Sequence, residues 1–153
     1  MSAWDDADVS AMRAALDLAA AAEAEGEVPV GAVVVARGEV VGRGHNRTIR
    51  DHDPAGHAEI VALREAATTM GNHRLTTATL YVTLEPCPMC MGAIAEARVP
   101  RVVFGAYDEK GGAAGSVIDL SASKALRHRP EINGGLLRDD CGALLSRFFL
   151  DRR

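Results

Sequence analysis

Long apolar runs and paired cysteine frameworks are missing from this 153-residue chain. Its three cysteines are too few for the disulfide scaffold of a small secreted domain. No apolar stretch approaches the roughly 20 residues that a membrane-spanning helix needs. The charged residues among the first six, Asp5 and Asp6, are acidic, whereas a signal peptide begins with basic residues. We therefore expect a cytoplasmic protein with no membrane span.

An excess of basic residues is also missing. The net charge of −4 argues against broad, nonspecific nucleic-acid binding, which depends on many phosphate contacts from a basic surface. A nucleic-acid substrate would have to be held by a local patch. Repeats, low-complexity tracts and linkers are absent, and the balance of 48% hydrophobic and 25% charged residues is that of a globular protein. The sequence predicts one domain over residues 1–153.

Hydrophobic periodicity predicts alternating helices and strands. The predicted strands are 30–36, 39–46, 79–84, 101–106 and 131–136. The predicted helices are 8–25, one from Asp53-Pro54 to about Thr69, one that begins after Pro86, and 138–150. Asp is a good N-cap and Pro is tolerated at the first helical position, hence the start at Asp53-Pro54. This order predicts a three-layer α/β fold, with one mixed five-stranded sheet covered by helices on both faces.

Two short segments carry residues typical of a catalytic metal site. They are Pro54-Ala55-Gly56-His57-Ala58-Glu59 and Pro86-Cys87-Pro88-Met89-Cys90. One His and two Cys hold zinc on three sides and leave a fourth position for water, as in catalytic zinc sites. Glu59 lies two residues from His57, close enough to move the protons of that water. The combination has the pattern H-x-E…P-C-x-x-C, in which the Glu is the general acid/base of a zinc-dependent base deaminase.

Other uses of the cysteine pair fit less well. A lone C-x-x-C in a cytosolic protein is also typical of a redox motif or of half a structural zinc site. A redox motif gives no reason for the distant His57 and Glu59. A closed four-ligand site would need Cys141, but no ligand-like spacing surrounds it. We predict that Cys141 is a buried core residue of the last helix.

Outside the metal motif, further segments match one family. They are Val28-Pro29-Val30-Gly31-Ala32, Gly44-His45-Asn46-Arg47, residues 53–60, 80–90 and 101–106, Asp108, and residues 112–116. The chain resembles the bacterial tRNA-specific adenosine deaminases of the cytidine deaminase-like superfamily. The resemblance implies the cytidine deaminase-like fold of that superfamily. It also implies a homodimer with one Zn²⁺ per subunit. It also implies hydrolysis of adenosine to inosine at the wobble position of a tRNA anticodon stem-loop, by attack of zinc-bound hydroxide on C6 while Glu59 moves the protons.

The same resemblance suggests substrate-binding residues. Asn46 is expected to hydrogen-bond the flipped nucleoside, and Asp108 to lie near its sugar-phosphate, although both residue types are also common in turns. The residues expected to line the substrate pocket are Val30, Leu84 and Phe149, although each is equally plausible as a residue of the hydrophobic core. Candidate phosphate contacts, each of which is also plausible as a solvated surface charge, are Lys110, Arg127, Arg129, Arg147, Arg152 and Arg153.

Two other functions remain possible on sequence grounds. A deaminase of a free base or nucleoside, of the guanine or cytidine type, would use the same zinc chemistry. A noncatalytic protein that keeps zinc for structure and binds RNA or a partner would be free to lose Glu59, which this chain retains.

Overall fold

The computed structural model describes residues 4–152, so the predicted phosphate contact Arg153 lies outside the described residues. The elements, in chain order, are α1 (Asp6–Ala24), β1 (Gly31–Ala36), β2 (Glu39–His45), α2 (Ala58–Met70), β3 (Ala78–Leu84), α3 (Pro88–Glu96), β4 (Arg101–Ala106), β5 (Glu131–Gly134) and α4 (Arg138–Asp151). The strand order is β2-β1-β3-β4-β5. β1 is antiparallel to both neighbours, whereas β3, β4 and β5 are parallel.

The sheet is covered on both faces, which confirms the predicted three-layer arrangement. α1 and α4 pack against one face and against each other, and α2 and α3 pack against the other face. The first hairpin turns at Arg37-Gly38, where both residues have positive φ, as a two-residue hairpin turn requires. Across residues 4–152, no helix is both long enough and apolar enough to cross a membrane.

Two glycines of β2 allow α2 to lie directly on the sheet. A Cβ at Gly42 would lie 2.3 Å from the carbonyl oxygen of Ala62, and a Cβ at Gly44 would lie 2.5 Å from that of Ala58. Any side chain at these positions would therefore push the helix away. Because α2 begins one residue after His57, this contact also sets the position of the predicted metal ligand.

The predicted start of α2 at Asp53-Pro54 is wrong. The helix begins at Ala58, and its N-cap His57 is extended, with φ −74° and ψ 153°. The Asp53 carboxylate instead accepts a hydrogen bond from the backbone N–H of Ala55, 2.9 Å away, within a turn. The side chain of Asn46 caps the helix, because its amide oxygen Oδ1 accepts a hydrogen bond from the backbone N–H of Ala58 at 2.9 Å. The cap is therefore supplied by a residue twelve positions before Ala58, and not by Asp53 as the local sequence predicted.

A buried ionic cluster attaches α1 to the sheet. Asp8 is 4% exposed and accepts hydrogen bonds from the Tyr81 hydroxyl at 2.6 Å and from Arg101 Nη1 at 2.9 Å. Burial by itself would raise the pKa of Asp8, but the bonds from Arg101 and Tyr81 outweigh it and hold the pKa below its usual value. This cluster joins α1, β3 and β4 on the face away from α2 and α3.

Candidate active site

His57, Cys87 and Cys90 meet where α2 and α3 begin. The distance from His57 Nδ1 is 3.5 Å to Cys87 Sγ and 3.6 Å to Cys90 Sγ, and the three ligand atoms lie within 4.8 Å of one another. Ligands bound tetrahedrally at the usual Zn–N and Zn–S lengths would be about 3.6 Å apart. The spacing and the N/S donor set therefore fit a zinc ion, with three protein ligands and one open position.

Both cysteines belong to the first turn of α3, as predicted. Cys87 is the N-cap, Pro88 follows at the first helical position, and Cys90 lies at the third. The hydrogen bond from Cys90 lowers the pKa of Cys87 to about 4, helped by His57, and it raises the pKa of Cys90. A thiolate at a helix N-terminus is the form that a metal ion binds.

Glu59 is buried beside this cluster, in the first turn of α2. Glu59 is only 4% exposed, and its carboxyl group is hydrogen-bonded to Cys90. Burial raises the pKa of Glu59 to about 7. A carboxyl group that titrates near neutrality both accepts and donates protons readily at physiological pH. The hydrogen bond from Cys90 places the carboxyl group beside the cluster, and its acid/base role stays a prediction.

Asn46 is placed to do two things at once. Its Oδ1 accepts from the N–H of Ala58, which aligns the helix that carries Glu59. Because the oxygen faces the helix, the amide NH₂ group is the end that can donate to a ligand. Its backbone N–H donates to the carbonyl of Val30 at 3.2 Å. The predicted contact between Asn46 and a nucleoside stays a prediction.

Two buried glutamates, which the sequence analysis missed, hold the loops around the site. The Glu27 carboxylate is fully buried and accepts from the hydroxyl of Thr48 and from the N–H groups of Ile49 and Arg50, at 2.8 to 3.2 Å. This fixes the loop that leads to His57. Burial alone would raise the pKa of Glu27, but the bonds from Arg50 and Ile49 keep it below its usual value.

Glu85 does the same for the loop after β4. It is 2% exposed and accepts from the N–H groups of Asp108, Ala114 and Ser116 at 3.0 to 3.1 Å, and from the Ser116 hydroxyl. The loop passes so closely that a Cβ at Gly112 would lie 2.4 Å from the Glu85 carboxylate. A glutamate between an apolar strand and the Cys87 motif was the available signal, since an acidic residue there needs buried donors.

A cavity of about 820 Å³ lies at the carboxyl ends of β3 and β4, where the loop after β4 meets α4; its lining residues do not include His57, Glu59, Cys87 or Cys90. Among the predicted pocket residues, Leu84 and Phe149 line it, together with Asp108. Val30 does not. It is 4% exposed and packs in the core, the alternative that the sequence left open, and its carbonyl accepts from the N–H of Asn46; its place in a substrate pocket stays a prediction.

The Asp108 side chain also forms a turn. Its Oδ1 accepts from the N–H groups of Lys110 at 3.0 Å and Gly111 at 3.1 Å. This is the local turn use of Asp that the sequence left open. The carboxylate still borders the cavity, so its expected position near a sugar-phosphate stays a prediction.

The predicted phosphate contacts do not form one surface on a single chain. Lys110 lies at the cavity, but Arg127 and Arg129 flank His128, whose Nε2 is 2.7 Å from the carbonyl of Val99, just before β4 begins. A strand of six residues separates these ends by about 17–20 Å. The physical reason is topological, since β5 is parallel to β4 and the segment before β5 must return to the other end.

The remaining predicted phosphate contacts are engaged on α4. Arg147 forms an ion pair with Glu23 at 3.0 Å. The guanidinium of Arg152 lies 3.6 Å from the centre of the Phe148 ring. Cys141, as predicted, is a core residue at 1% exposure, and burial raises its pKa to about 12.

Comparisons with known proteins agree with this geometry. Residues 5–106 match the model of the cytidine and deoxycytidylate deaminase zinc-binding region. The chain is 46% identical to a tRNA-specific adenosine deaminase of Bacillus subtilis over 93% of this chain and 88% of that protein. It is 50% identical to one of Haemophilus influenzae, over 95% of this chain and 85% of that protein.

Solved structures give the same grouping. One, from a study of A-to-I editing by tRNA:A34 deaminases at the wobble position of transfer RNA, has a TM-score of 0.87 and 42% identity, covering 89% of this chain and 99% of its own. A guanine deaminase from Nitrosomonas europaea has a TM-score of 0.79 and 29% identity, covering 92% and 83%. The chain therefore belongs to the zinc-binding cytidine and deoxycytidylate deaminase family, in the group that contains the tRNA-specific adenosine deaminases.

Proposed function

We propose that this protein deaminates adenosine to inosine at the wobble position of a tRNA anticodon. The observation that carries the proposal is the buried carboxyl group of Glu59, which is hydrogen-bonded to Cys90 of a His/Cys/Cys cluster with an open fourth position. Relatives and a solved structure that act on tRNA adenosine match this chain over nearly its whole length. An anticodon loop presents an unpaired base, which costs little to turn outward into a pocket.

The chain's own residues divide the work. His57, Cys87 and Cys90 would hold zinc, which when bound supplies the Lewis acid that activates water. Glu59 would accept the first proton that the water loses and give it to the ring nitrogen. It would then accept the second proton, from the hydroxyl group added at C6, and give it to the departing amine, which leaves as ammonia. Its burial keeps bulk water from competing for those protons. The amide NH₂ of Asn46 would donate to the nucleoside and orient it toward Glu59.

A deamination assay with zinc-loaded protein tests this proposal. It compares an anticodon stem-loop that has adenosine at the wobble position with one that has adenosine elsewhere in the loop, and with free adenosine, cytidine and guanine. We expect inosine only at the wobble position of the first substrate. Turnover of a free base with no inosine in RNA would contradict the proposed substrate while leaving the zinc chemistry in place.

Deamination of a free purine base is the second candidate. The observation that favours it is the similarity to the guanine deaminase from Nitrosomonas europaea, which shares the fold at 29% identity. The cavity at the carboxyl ends of β3 and β4 argues for the larger substrate, because a free base would leave it unused. In the same assay, guanine consumption would identify this activity directly.

We infer that the protein is a homodimer of single-domain subunits in the cytoplasm. Support for one domain comes from α4, which packs on α1, β3 and β4 and so closes the same core as the rest of the chain. Support for a dimer comes from an apolar groove of about 440 Å³ between α2 and α3, partly lined by Leu63, Ala67 and Ala93. Exposed Met89 extends the apolar surface of α3.

Sedimentation velocity tests the dimer. We expect a species of twice the 16.1 kDa chain mass, and a monomer when Ala67→Glu places a charge in the groove. Thr68→Glu, on an exposed part of the same helix outside the groove, is the matched control and should leave the dimer intact. A wild-type monomer at micromolar concentration would contradict the inference.

A further inference from the structure

The loop of residues 47–56 has a candidate functional residue at each end. Asn46, which is expected to contact the nucleoside, comes immediately before it, and the candidate ligand His57 comes immediately after it. The two ends of the loop are joined, because the N–H of Arg47 donates to the carbonyl of Gly56 at 2.9 Å. A shift of this loop therefore reaches both Asn46 and His57.

The loop is also bonded internally. The N–H of Asp53 donates to the carbonyl of Thr48 at 3.1 Å, and the N–H of Gly56 donates to the carbonyl of Asp53 at 3.0 Å. The Arg47 guanidinium forms an ion pair with Asp51 at 2.7 Å. A loop whose ends are close and whose own groups pack together has the character of an Ω-loop. Its internal bonds set its shape, so its position depends on what attaches it to the rest of the protein.

The carboxylate of Glu27, in the segment between α1 and β1, makes that attachment. Glu27 is fully buried. Its Oε1 accepts from the hydroxyl of Thr48 at 3.2 Å, and its Oε2 accepts from the N–H of Arg50 at 2.8 Å. The N–H of Ile49 is shared between the two oxygens, at 3.1 and 3.2 Å. A buried carboxylate is costly, and here the cost is offset only while the loop keeps these donors in place.

Satisfying the loop's N–H groups does not by itself require Glu27. Backbone N–H groups at a protein surface can pair with water instead. What water does not supply is a fixed position, whereas a fully satisfied buried polar network makes its surroundings rigid. Although burial by itself would raise the pKa of Glu27, the bonds from Arg50 and Ile49 keep it below its usual value. The carboxylate is therefore ionised at neutral pH, and its hydrogen bonds are of the stronger, charge-assisted kind.

The same segment of chain holds the start of the loop. Three residues after Glu27, the carbonyl of Val30 accepts from the N–H of Asn46 at 3.2 Å. Val30 itself packs in the hydrophobic core, so this contact is backed by the sheet. The loop is thus attached at two points, next to Asn46 and at residues 48–50, by four consecutive residues.

We propose that Glu27 is a positioning residue for the active site, which sets the places of His57 and Asn46 together by holding the loop between them. Glu27 is not one of the three candidate metal ligands, and its carboxylate bonds go to the loop, so it acts through the residues at the loop's ends. The part that concerns Asn46 rests on the proposed function, since it takes Asn46 to contact the nucleoside. The part that concerns His57 needs only a zinc site.

Zinc affinity, measured by competition with a chelator, tests the His57 part without any substrate. Glu27→Gln keeps the size of the side chain but places an NH₂ group against donors, so the loop loses its attachment. We expect zinc affinity to fall about tenfold, within the range for residues that orient a metal ligand. Amide exchange should accelerate at Ile49 and Arg50 and stay as in the wild type in β3 and β4.

Two further variants separate positioning from a general loss of stability. Asp8→Asn alters another buried carboxylate, on the face of the sheet away from α2 and α3, and should leave zinc affinity unchanged even at an equal loss of stability in chemical denaturation. Thr48→Val removes one hydrogen bond to Glu27 and should lower zinc affinity about threefold. Wild-type zinc affinity in Glu27→Gln, or an equal loss in Asp8→Asn, would contradict the proposal. If Glu27→Gln does not fold, wild-type affinity in Thr48→Val would contradict it.

Kinetics on the anticodon stem-loop at saturating zinc test the Asn46 part. Asn46→Asp keeps an oxygen to cap α2 and removes the NH₂ donor. Glu27→Gln should raise KM about tenfold in the wild-type background and much less in Asn46→Asp, because the contact that it positions is already lost. Fully additive effects would overturn this part.

The two measurements keep this proposal apart from the proposed function. Absence of inosine with the wild-type protein would contradict the proposed function. The zinc affinities would still confirm or contradict the role of Glu27 at His57, since they involve no substrate.

Discussion

The metal cluster and the cavity at the carboxyl ends of β3 and β4 are built in different ways. Two helix N-termini supply the cluster, and its ligand atoms lie within 4.8 Å of one another. The residues that line the cavity come from four separate parts of the chain, at residues 28, 84, 106–110 and 138–149. The cluster is compact and partly buried, and the cavity is open and lined by exposed rings. On the proposed function, the chemical step and the selection of substrate would then depend on separate parts of the molecule.

Two solved relatives share this fold but are named for different substrates. A guanine deaminase and a structure from work on tRNA:A34 deaminases both share this fold, at 29% and 42% identity. Both names refer to deamination, but one gives guanine and the other gives tRNA adenosine as the substrate. We therefore expect substitutions confined to the metal cluster, or to the cavity, to have separable effects on kcat, KM and metal content.

The largest expected effect is on the chemical step. Glu59→Gln removes the proton-transferring carboxylate and retains its shape, so we expect kcat to fall about 10²–10⁴-fold with zinc content unchanged. Glu65→Gln, on an exposed part of the same helix, is the control. Single-turnover rates and metal analysis measure both. A Glu59→Gln enzyme with near-wild-type turnover would rule out the assigned role.

A smaller effect on the metal side should follow from Gly44→Ala. The new Cβ would lie 2.5 Å from the carbonyl of Ala58, so α2 must move and take His57 with it. We expect a loss of about 1–3 kcal/mol in the free energy of unfolding and weaker zinc binding. Gly92→Ala, in α3, meets nothing within 4 Å and should be neutral or slightly stabilising. Chemical denaturation and competition with a chelator distinguish the two variants.

On the cavity side, Glu85→Gln should alter substrate binding without loss of metal. Glutamine places an NH₂ group where the carboxylate accepts from the N–H groups of Asp108, Ala114 and Ser116. Loss of buried acceptors costs about 1–3 kcal/mol, so we expect KM for the stem-loop to rise roughly tenfold and amide exchange in residues 108–116 to accelerate. Glu39→Gln, at the exposed first residue of β2, is the control for the loss of one negative charge. Equal zinc loss and KM change would mean that the regions are not separable.

The smallest effect on either region is expected from Asp8→Asn, which alters the α1 anchor. The folded-state pKa of Asp8 lies below its unfolded value of about 3.8, so its stabilising contribution is present above that value and is lost as pH falls through the folded pKa. The variant should lose about 1–3 kcal/mol at pH 7 and show less acid dependence below pH 4, while KM stays unchanged. Thermal unfolding at pH 2–7, with exposed Asp6→Asn as control, measures this. An unchanged acid profile would contradict the assigned pKa.

Where the determinants are local, the sequence was sufficient. The strand 101–106 was predicted with its bounds, because its apolar run is bordered by a Pro on one side and polar residues on the other. The metal motif was identified because the ligand spacing is fixed by one helical turn. The start of α2 was predicted four to five residues too early because its cap, Asn46, lies just after β2, and no local pattern reveals it.

Long-range placement was beyond the sequence. Arg127 and Arg129 look like part of one basic surface with Lys110, but the parallel pairing of β4 and β5 puts them at the opposite end of the sheet. Tyr107 and Arg138 are thirty-one residues apart, and only the fold brings the guanidinium over the ring. Glu27 and Glu85 appear as ordinary charges until their buried backbone donors are known.

The end of β3 has a consequence for substrate size. Within Leu84, Glu85, Pro86 and Cys87, one residue lines the cavity, the next anchors the loop after β4, and the last is a candidate metal ligand. On the proposed function, this short stretch of backbone fixes the distance between the nucleotide at the metal site and any part of the substrate in the cavity. A polymer long enough to span that distance would be held at both ends, whereas a single base would be held at one. Selection for polymers over monomers would then depend on length.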